Sequence, residues 1–204
     1  MYHNKNELNQ NELGSLNFVI TGKRGYGKTT KAKEIIKRIK SEKTKALVVL
    51  DPLNEYSGDF IFTDLDMFLA YMYDDGIEKG KSYVAKFRRK HELDEIITVL
   101  SSMHDFFLVI EEANILTSPN YIQDDFSDIV SMGRHFNANY MAICRRPAEI
   151  SRLLTSQAHV IISFRQTELR DIKNLEERGF DATNLTTLDV GDYIVKSDYD
   201  NFTI

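Results

Sequence analysis

Residues 16–30, "LNFVITGKRGYGKTT", run from an apolar stretch through a glycine-rich turn into a lysine- and threonine-rich segment. Gly22-Lys23-Arg24-Gly25-Tyr26-Gly27-Lys28-Thr29 fits G-x-x-x-x-G-K-[ST] in full. The spacing has a chemical reason. Gly22 and Gly27 tolerate the backbone conformations of a tight phosphate nest, and the N–H groups between them point inward. A helix opening at Lys28 adds its positive end. Lys28 then reaches the β- and γ-phosphates of ATP, the Thr29 hydroxyl ligates Mg²⁺, and Thr30 touches the α-phosphate. The competing reading is a glycine-rich strand-to-helix turn that binds nothing. Completeness of the motif and its place between a strand and a helix favour the nucleotide. Lys23 and Arg24 have three readings: solvated loop tips, contacts to a neighbouring subunit, or contacts to nucleic acid.

Downstream, apolar runs of strand length alternate with helical patterns. Strands are expected at 16–20, 46–50, 83–88, 106–111, 139–144 and 159–164. Near-continuous apolar strands of this kind belong to parallel sheets covered on both faces. Helices are expected at 28–41, 62–73, 91–102, 122–136, 147–154 and 166–178. In 91–102, Leu93, Ile96, Ile97 and Leu100 keep the i, i+3, i+4, i+7 spacing. The alternation predicts an α/β three-layer sandwich with a mainly parallel central sheet, closed by a C-terminal β-hairpin or edge strands in "VGDYIVKSDYDNFTI". The Asn-rich residues 1–15 read as a flexible N-terminal arm and 16–204 as a single domain.

The chain has 204 residues, 42% of them hydrophobic, which suffices for one core. Its single cysteine, Cys144, forbids an internal disulfide and fits a reducing compartment. The five histidines lack metal-ligand spacing, so a zinc site is not expected. No apolar run approaches the ~20 residues of a membrane span, and no secretory signal opens the chain. The protein is expected to be intracellular and not an integral membrane protein. Its net charge is −5, but the charges are blocked. Residues 23–45 hold ten Lys/Arg against two acids, 51–78 hold eight acids and no Lys/Arg, and 79–90 hold six Lys/Arg and no acid. Such polarity suits docking between subunits or a pore that focuses field on a nucleic acid.

"FFLVIEEAN", residues 106–114, supplies what a phosphate loop still lacks. A buried strand ends in Glu111-Glu112, and acids at the C-terminal end of a parallel strand face the ligand crevice. Glu111 is expected to hold Mg²⁺ through its water shell and Glu112 to polarise the attacking water. The alternative is two acids capping the following helix. A base of this kind makes water the nucleophile, which leans away from small-molecule kinases and towards hydrolysis.

Residues 131–168, "SMGRHFNANYMAICRRPAEISRLLTSQAHVIISFRQTE", carry a resemblance. With Gly133-Arg134-His135, Arg145-Arg146-Pro147, Ser156-Gln157-Ala158 and the earlier "LVVLDPLNEYSG", the chain resembles the HerA/FtsK superfamily of ring-forming DNA-pumping ATPases from about residue 16 to 195. It is as short as the bare ATPase core of that superfamily. In this it is similar to the genome-packaging NTPases of membrane-containing icosahedral viruses, above all those of archaeal turreted icosahedral viruses. The resemblance implies a RecA/ASCE-like P-loop fold and a homo-oligomeric ring, pentamer or hexamer, that hydrolyses ATP with Mg²⁺. It further implies transport of double-stranded DNA and docking on capsid or membrane-vertex proteins. The place of action would be the host cytoplasm during assembly, with retention in the virion an option.

Carried over residue by residue, Arg134 matches the arginine finger that reaches a neighbour's γ-phosphate. Arg145 stands where the family has a glutamine sensor, and Glu111 where it has Asp. A donor-only guanidinium can stabilise a γ-phosphate but cannot accept a bond from water. Arg146 is either structural or a second sensor. The basic segments Lys37–Lys45 and Lys79–Lys90 are candidates for gripping DNA phosphates. Two rivals remain: a cellular or plasmid HerA-like helicase or conjugation ATPase, and a P-loop nucleotide kinase in which "KFRRKHE" at 86–92 serves as an arginine-rich lid.

Overall fold

A computed structural model describes residues 13–200, 202 and 204. Eight strands form one sheet: β1 (Phe18–Thr21), β2 (Ala46–Leu50), β3 (Phe60–Phe62), β4 (Ser82–Ala85), β5 (Phe106–Ile110), β6 (Asn139–Cys144), β7 (Val160–Ser163) and β8 (Ile194–Ser197). Their order is β3-β4-β2-β5-β6-β1-β7-β8. All pairings are parallel except β7 with β8. The helices are α1 (Lys28–Glu42), α2 (Leu65–Asp74), α3 (Lys90–Leu100), α4 (Asp124–Phe136), α5 (Arg152–Ser156) and α6 (Leu169–Glu176).

The strands read as continuous apolar runs because both sheet faces are covered. Along β5, Phe106, Leu108 and Ile110 join the core beneath α2, α3 and α4, while Phe107 and Val109 face the α1 side. β6 alternates likewise, with Tyr140, Ala142 and Cys144 on one face and Met141 and Ile143 on the other. The layers are unequal. α1, through Ala32, Ile35, Ile36 and Ile39, is the one helix longer than a single turn packed on its face, and the other five contribute to the opposite core.

The chain crosses from β1 over two strand positions to β2, and β5 and β6 later fill the gap. The C-terminal ends of β5, β6 and β1 therefore lie side by side, and three successive strand exits open on one edge of the sheet.

Several expected boundaries shift. β3 takes Phe60 and Ile61 from the stretch 51–61 left without an element and Phe62 from the start of the helix expected at 62–73, and Phe62 packs edge-on to Phe68 of α2 with ring centroids 5.1 Å apart. The helix expected at 147–154 divides into a 3₁₀ turn at Pro147–Glu149 and α5, because Ser151 accepts the Leu153 N–H and starts a new helix. In place of a terminal hairpin, the C-terminal segment lays one strand, β8, antiparallel on β7. This strand pairs an edge that would otherwise present unmet N–H and C=O groups. Of the residues read as an N-terminal arm, 1–12 lie outside the described residues. Leu13–Ser15 form a 3₁₀ turn with Leu13 and Gly14 buried, and both backbone N–H groups donate to the Glu42 carboxylate at the end of α1, at 2.9 and 3.1 Å.

Candidate active site

The glycine-rich loop leaves β1 at Thr21 and enters α1 at Lys28. Gly22, Gly25 and Gly27 take φ of +140°, +82° and +108°, the region in which side chains are strained. Space adds a second constraint: a Cβ on Gly22 would lie 2.6 Å from the Phe164 Cβ. The Lys23 N–H donates to the Arg165 carbonyl at 2.9 Å, and the Tyr26 hydroxyl accepts from Arg165 Nη1 at 3.2 Å. The segment after β7 thus braces the loop. Lys23 and Arg24 are exposed, and Arg24 lines the cleft while Lys23 does not.

Lys28 is buried, and its Nζ donates to the Lys23 carbonyl at 3.2 Å, so the side chain folds back under its own loop. Burial pulls its pKa below the ordinary lysine value, with the nearby carboxylates of Glu112 and Glu111 opposing. The loop floors a cleft of about 940 Å³ lined by Gly25, Gly27, Lys28, Thr29, Thr30, Lys33, Leu53, Glu55, Glu111, Glu112 and Arg145 as well as Arg24.

Both acids lie at the exit of β5. Glu111 is 4% exposed, and its backbone N–H donates to the Leu50 carbonyl at 3.1 Å. Its Oε1 accepts from the Thr29 hydroxyl at 3.5 Å and its Oε2 from the Tyr56 hydroxyl at 2.7 Å. Burial raises its pKa, and the Tyr56 bond works against that rise. Glu112 adopts φ 53°, ψ 57°, a left-handed conformation that is costly for a side chain with a Cβ. Its Oε1 accepts from Arg145 Nε at 3.0 Å and Nη2 at 2.7 Å, and its Oε2 has no partner among the described residues.

The donor set fits Mg²⁺. A threonine hydroxyl and one carboxylate meet above the loop, and a bound Mg²⁺ would take its remaining donors from water and phosphate oxygens. No group of three His, Cys, Asp or Glu that could hold a metal occurs among the described residues, so a site made by protein donors alone is not built here.

Arg145 follows β6 and faces the cleft. Its carbonyl accepts from Gln166 Nε2 at 3.3 Å and the Thr21 hydroxyl at 3.4 Å, and Gln166 Nε2 also donates to Thr21 at 2.9 Å. Gln166 is buried and was not expected in the site. Arg146 pairs with Glu149 at 3.0 Å and with the fully buried Asp171 at 2.9 Å. Asp171 also accepts the Ala148 N–H at 3.1 Å, so Arg146 ties α6 to the turn after β6, and it does not line the cleft. This is the structural option of the two.

Residues 5–182 match the family model for the central domain of the helicase HerA. The chain belongs to this family. Several solved structures share its fold. The genome packaging NTPase B204 from Sulfolobus turreted icosahedral virus 2, in complex with AMP, superposes with TM-score 0.73 at 18% identity, over 90% of this chain and 93% of that one. The same viral protein has been solved with AMPPCP and with ATP-gammaS. VirB4 of Thermoanaerobacter pseudethanolicus gives TM-score 0.64 at 12% identity over 89% and 86% of the two chains. The pCW3 conjugation coupling protein TcpA gives 0.56 at 13%, over 92% of this chain and 59% of its own length. No curated protein matches.

Arg134 is not brought to the cleft. It lies in the last turn of α4 and lines a separate hollow of about 440 Å³ with Asn17, Asn139 and His159, at the N-terminal ends of β1, β6 and β7. That is the opposite edge of the sheet from Lys28. Residues 86–92 do not line the cleft either, so the segment expected to serve as an arginine-rich lid in the kinase reading lies away from the phosphate loop. Among the expected DNA-gripping lysines, Lys45 is buried, and Lys40, Lys79 and Lys90 are paired with Asp59, Asp105 and Asp94. Among the described residues no helix is long and apolar enough to cross a membrane.

Proposed function

We propose that this chain is an ATP-hydrolysing motor that moves double-stranded DNA into a viral procapsid, acting as a homo-oligomeric ring. The observation that carries the reading is the meeting of Lys28, Thr29, Glu111, Glu112 and Arg145 over one cleft at three adjacent strand exits. The end-to-end match to a packaging NTPase supports the packaging role over other HerA-like work.

In this reading the loop N–H groups and Lys28 hold the β- and γ-phosphates. Lys28 acts with little water around it, where a charge is felt most strongly. Thr29 and Glu111 would hold Mg²⁺, which when bound neutralises phosphate charge. The open Oε2 of Glu112 takes a proton as a water oxygen bonds to the γ-phosphorus. The bond from phosphorus to the β–γ bridging oxygen breaks, ADP leaves, and the proton passes on to phosphate. Arg145 fixes the other oxygen of Glu112, so an arginine at the sensor position orients the base in place of orienting water itself. Arg134, on the far edge, would serve the cleft of the next subunit in a head-to-tail ring. The motor would work in the host cytoplasm during assembly, on a capsid or membrane vertex.

VirB4 and TcpA share the fold, so a conjugation or helicase role is the second reading. DNA uptake that requires procapsids separates packaging from it. The primary test is ATP turnover without any small acceptor. Lys28→Ala should abolish nucleotide binding and hydrolysis, and Glu112→Gln should abolish hydrolysis while nucleotide still binds, each with a loss of at least about 10³-fold. Phosphoryl transfer to a nucleoside, with little hydrolysis, would overturn the motor reading.

A further inference from the structure

The loop after β2 is built around one carboxylate. Asp51, with no exposure, receives the Glu55 N–H on Oδ1 and the Tyr56 N–H on Oδ2, both at 2.9 Å. Its own N–H donates to the Ala85 carbonyl at 2.9 Å. Arg88 Nε holds the Pro52 carbonyl at 2.9 Å, and Asn54 turns the chain at φ 60°. These bonds fix the backbone of Tyr56 to the sheet. The Tyr56 ring is buried in the core beneath α1, and Lys33 Nζ lies 5.1 Å from its centroid. Its hydroxyl therefore has one place to go, and it donates to Glu111 Oε2 at 2.7 Å.

From this arrangement we infer that Tyr56 is a positioning residue for the metal ligand Glu111. It holds Oε2 so that Oε1, the oxygen beside Thr29, is the one presented to Mg²⁺. The inference rests on the reading of the cleft as an Mg²⁺-nucleotide site. A glutamate at a strand exit has one more rotatable bond than an aspartate, so an unrestrained side chain spreads over more rotamers. A short bond to a charged acceptor, from a phenol that cannot itself move, removes that freedom. Partners of this kind, one step removed from a metal, are typically worth about 10–100-fold in metal affinity.

The decisive variant is Tyr56→Phe, which keeps the ring and deletes the donor. The measurements are Mn²⁺ binding to the chain loaded with AMPPCP, followed by electron paramagnetic resonance, and AMPPCP binding in EDTA. The expected result is at least about a 10-fold weaker Mn²⁺ affinity with metal-free AMPPCP affinity unchanged. In a Glu111→Ala background, Tyr56→Phe should add nothing further. Unchanged Mn²⁺ affinity in Tyr56→Phe overturns the inference. So does an equal loss of AMPPCP binding with and without metal, which would make Tyr56 a packing residue. A parent chain that binds neither AMPPCP nor Mn²⁺ defeats the reading of the whole site, and the inference with it.

Discussion

Lys45 shows how a single side chain departs from what its letter suggests. In the sequence it closes a basic block that looked available to DNA. In the fold it is buried, and its Nζ donates to the Asn139 amide oxygen. Burial lowers its pKa to about 8, against the pull of Asp105 and Glu42 and with the help of Lys79. The sign follows by linkage. Below pH 8 the lysine is charged in the folded and the unfolded chain alike, and the folded chain bears the full cost of a buried ammonium. As pH rises from about 8 towards the unfolded value of 10.5, the folded chain sheds its proton first and the cost fades. Denaturant titrations of the parent and Lys45→Met should therefore show the parent gaining on the variant across that window. The gain is at most about 3 kcal/mol and is smaller where the Asn139 bond is missed. A difference flat in pH would refute the assignment. The candidate site was legible to the extent that it is contiguous. Gly22 to Thr30 and Glu111-Glu112 are short words whose chemistry is set by spacing. Tyr56 and Gln166 were not legible as site residues, because their partners Glu111 and Thr21 lie 55 and 145 residues away. Only folding makes those pairs.

Elements read well where apolar runs are long and poorly where a short segment relies on neighbours. β2 and β6 fall on the expected residues because five or six apolar-rich positions in a row leave no other reading. β3 has three residues, one of them half exposed, and exists because β4 offers it an edge. α4 carries a constraint that no helical pattern announces. Gly133 sits in its last turn, where an added Cβ would lie 2.5 Å from the Ala138 carbonyl oxygen, and the Ala138 N–H closes the helix on the Gly133 carbonyl at 2.8 Å. Alanine is the better helix former by about 1 kcal/mol. Gly133→Ala should nevertheless destabilise the chain by about 1–3 kcal/mol, because the turn into β6 must move. Urea unfolding measures this, and a stabilised variant would mean that the helix end relaxes at no cost.

At the scale of the molecule, strand order was not readable in advance, since insertion of β5 and β6 between β2 and β1 leaves no mark in the sequence. The parallel course of β1 and β6 is what separates Lys28, which follows the C-terminal end of β1, from Arg134, which precedes the N-terminal end of β6. If the edges meet between subunits, each of two impaired variants lacks what the other retains. Mixing equal amounts of Lys28→Ala and Arg134→Ala chains should restore turnover at about a quarter of the interfaces of a head-to-tail ring. Arg134→Ala alone should bind nucleotide normally and turn it over slowly. A mixture no more active than its parts would assign Arg134 to its own subunit or to structure.

α1 gives the sheet an uneven anatomy with a mechanical side. It runs without interruption from the phosphate loop to Glu42, fifteen residues or about 22 Å. Its far end grips the backbone of Leu13 and Gly14. It is a strut with a ligand seat at one end and the chain's first described turn at the other. A push at the seat is delivered whole to that turn, and a load hung on the N-terminal side is felt at the phosphates.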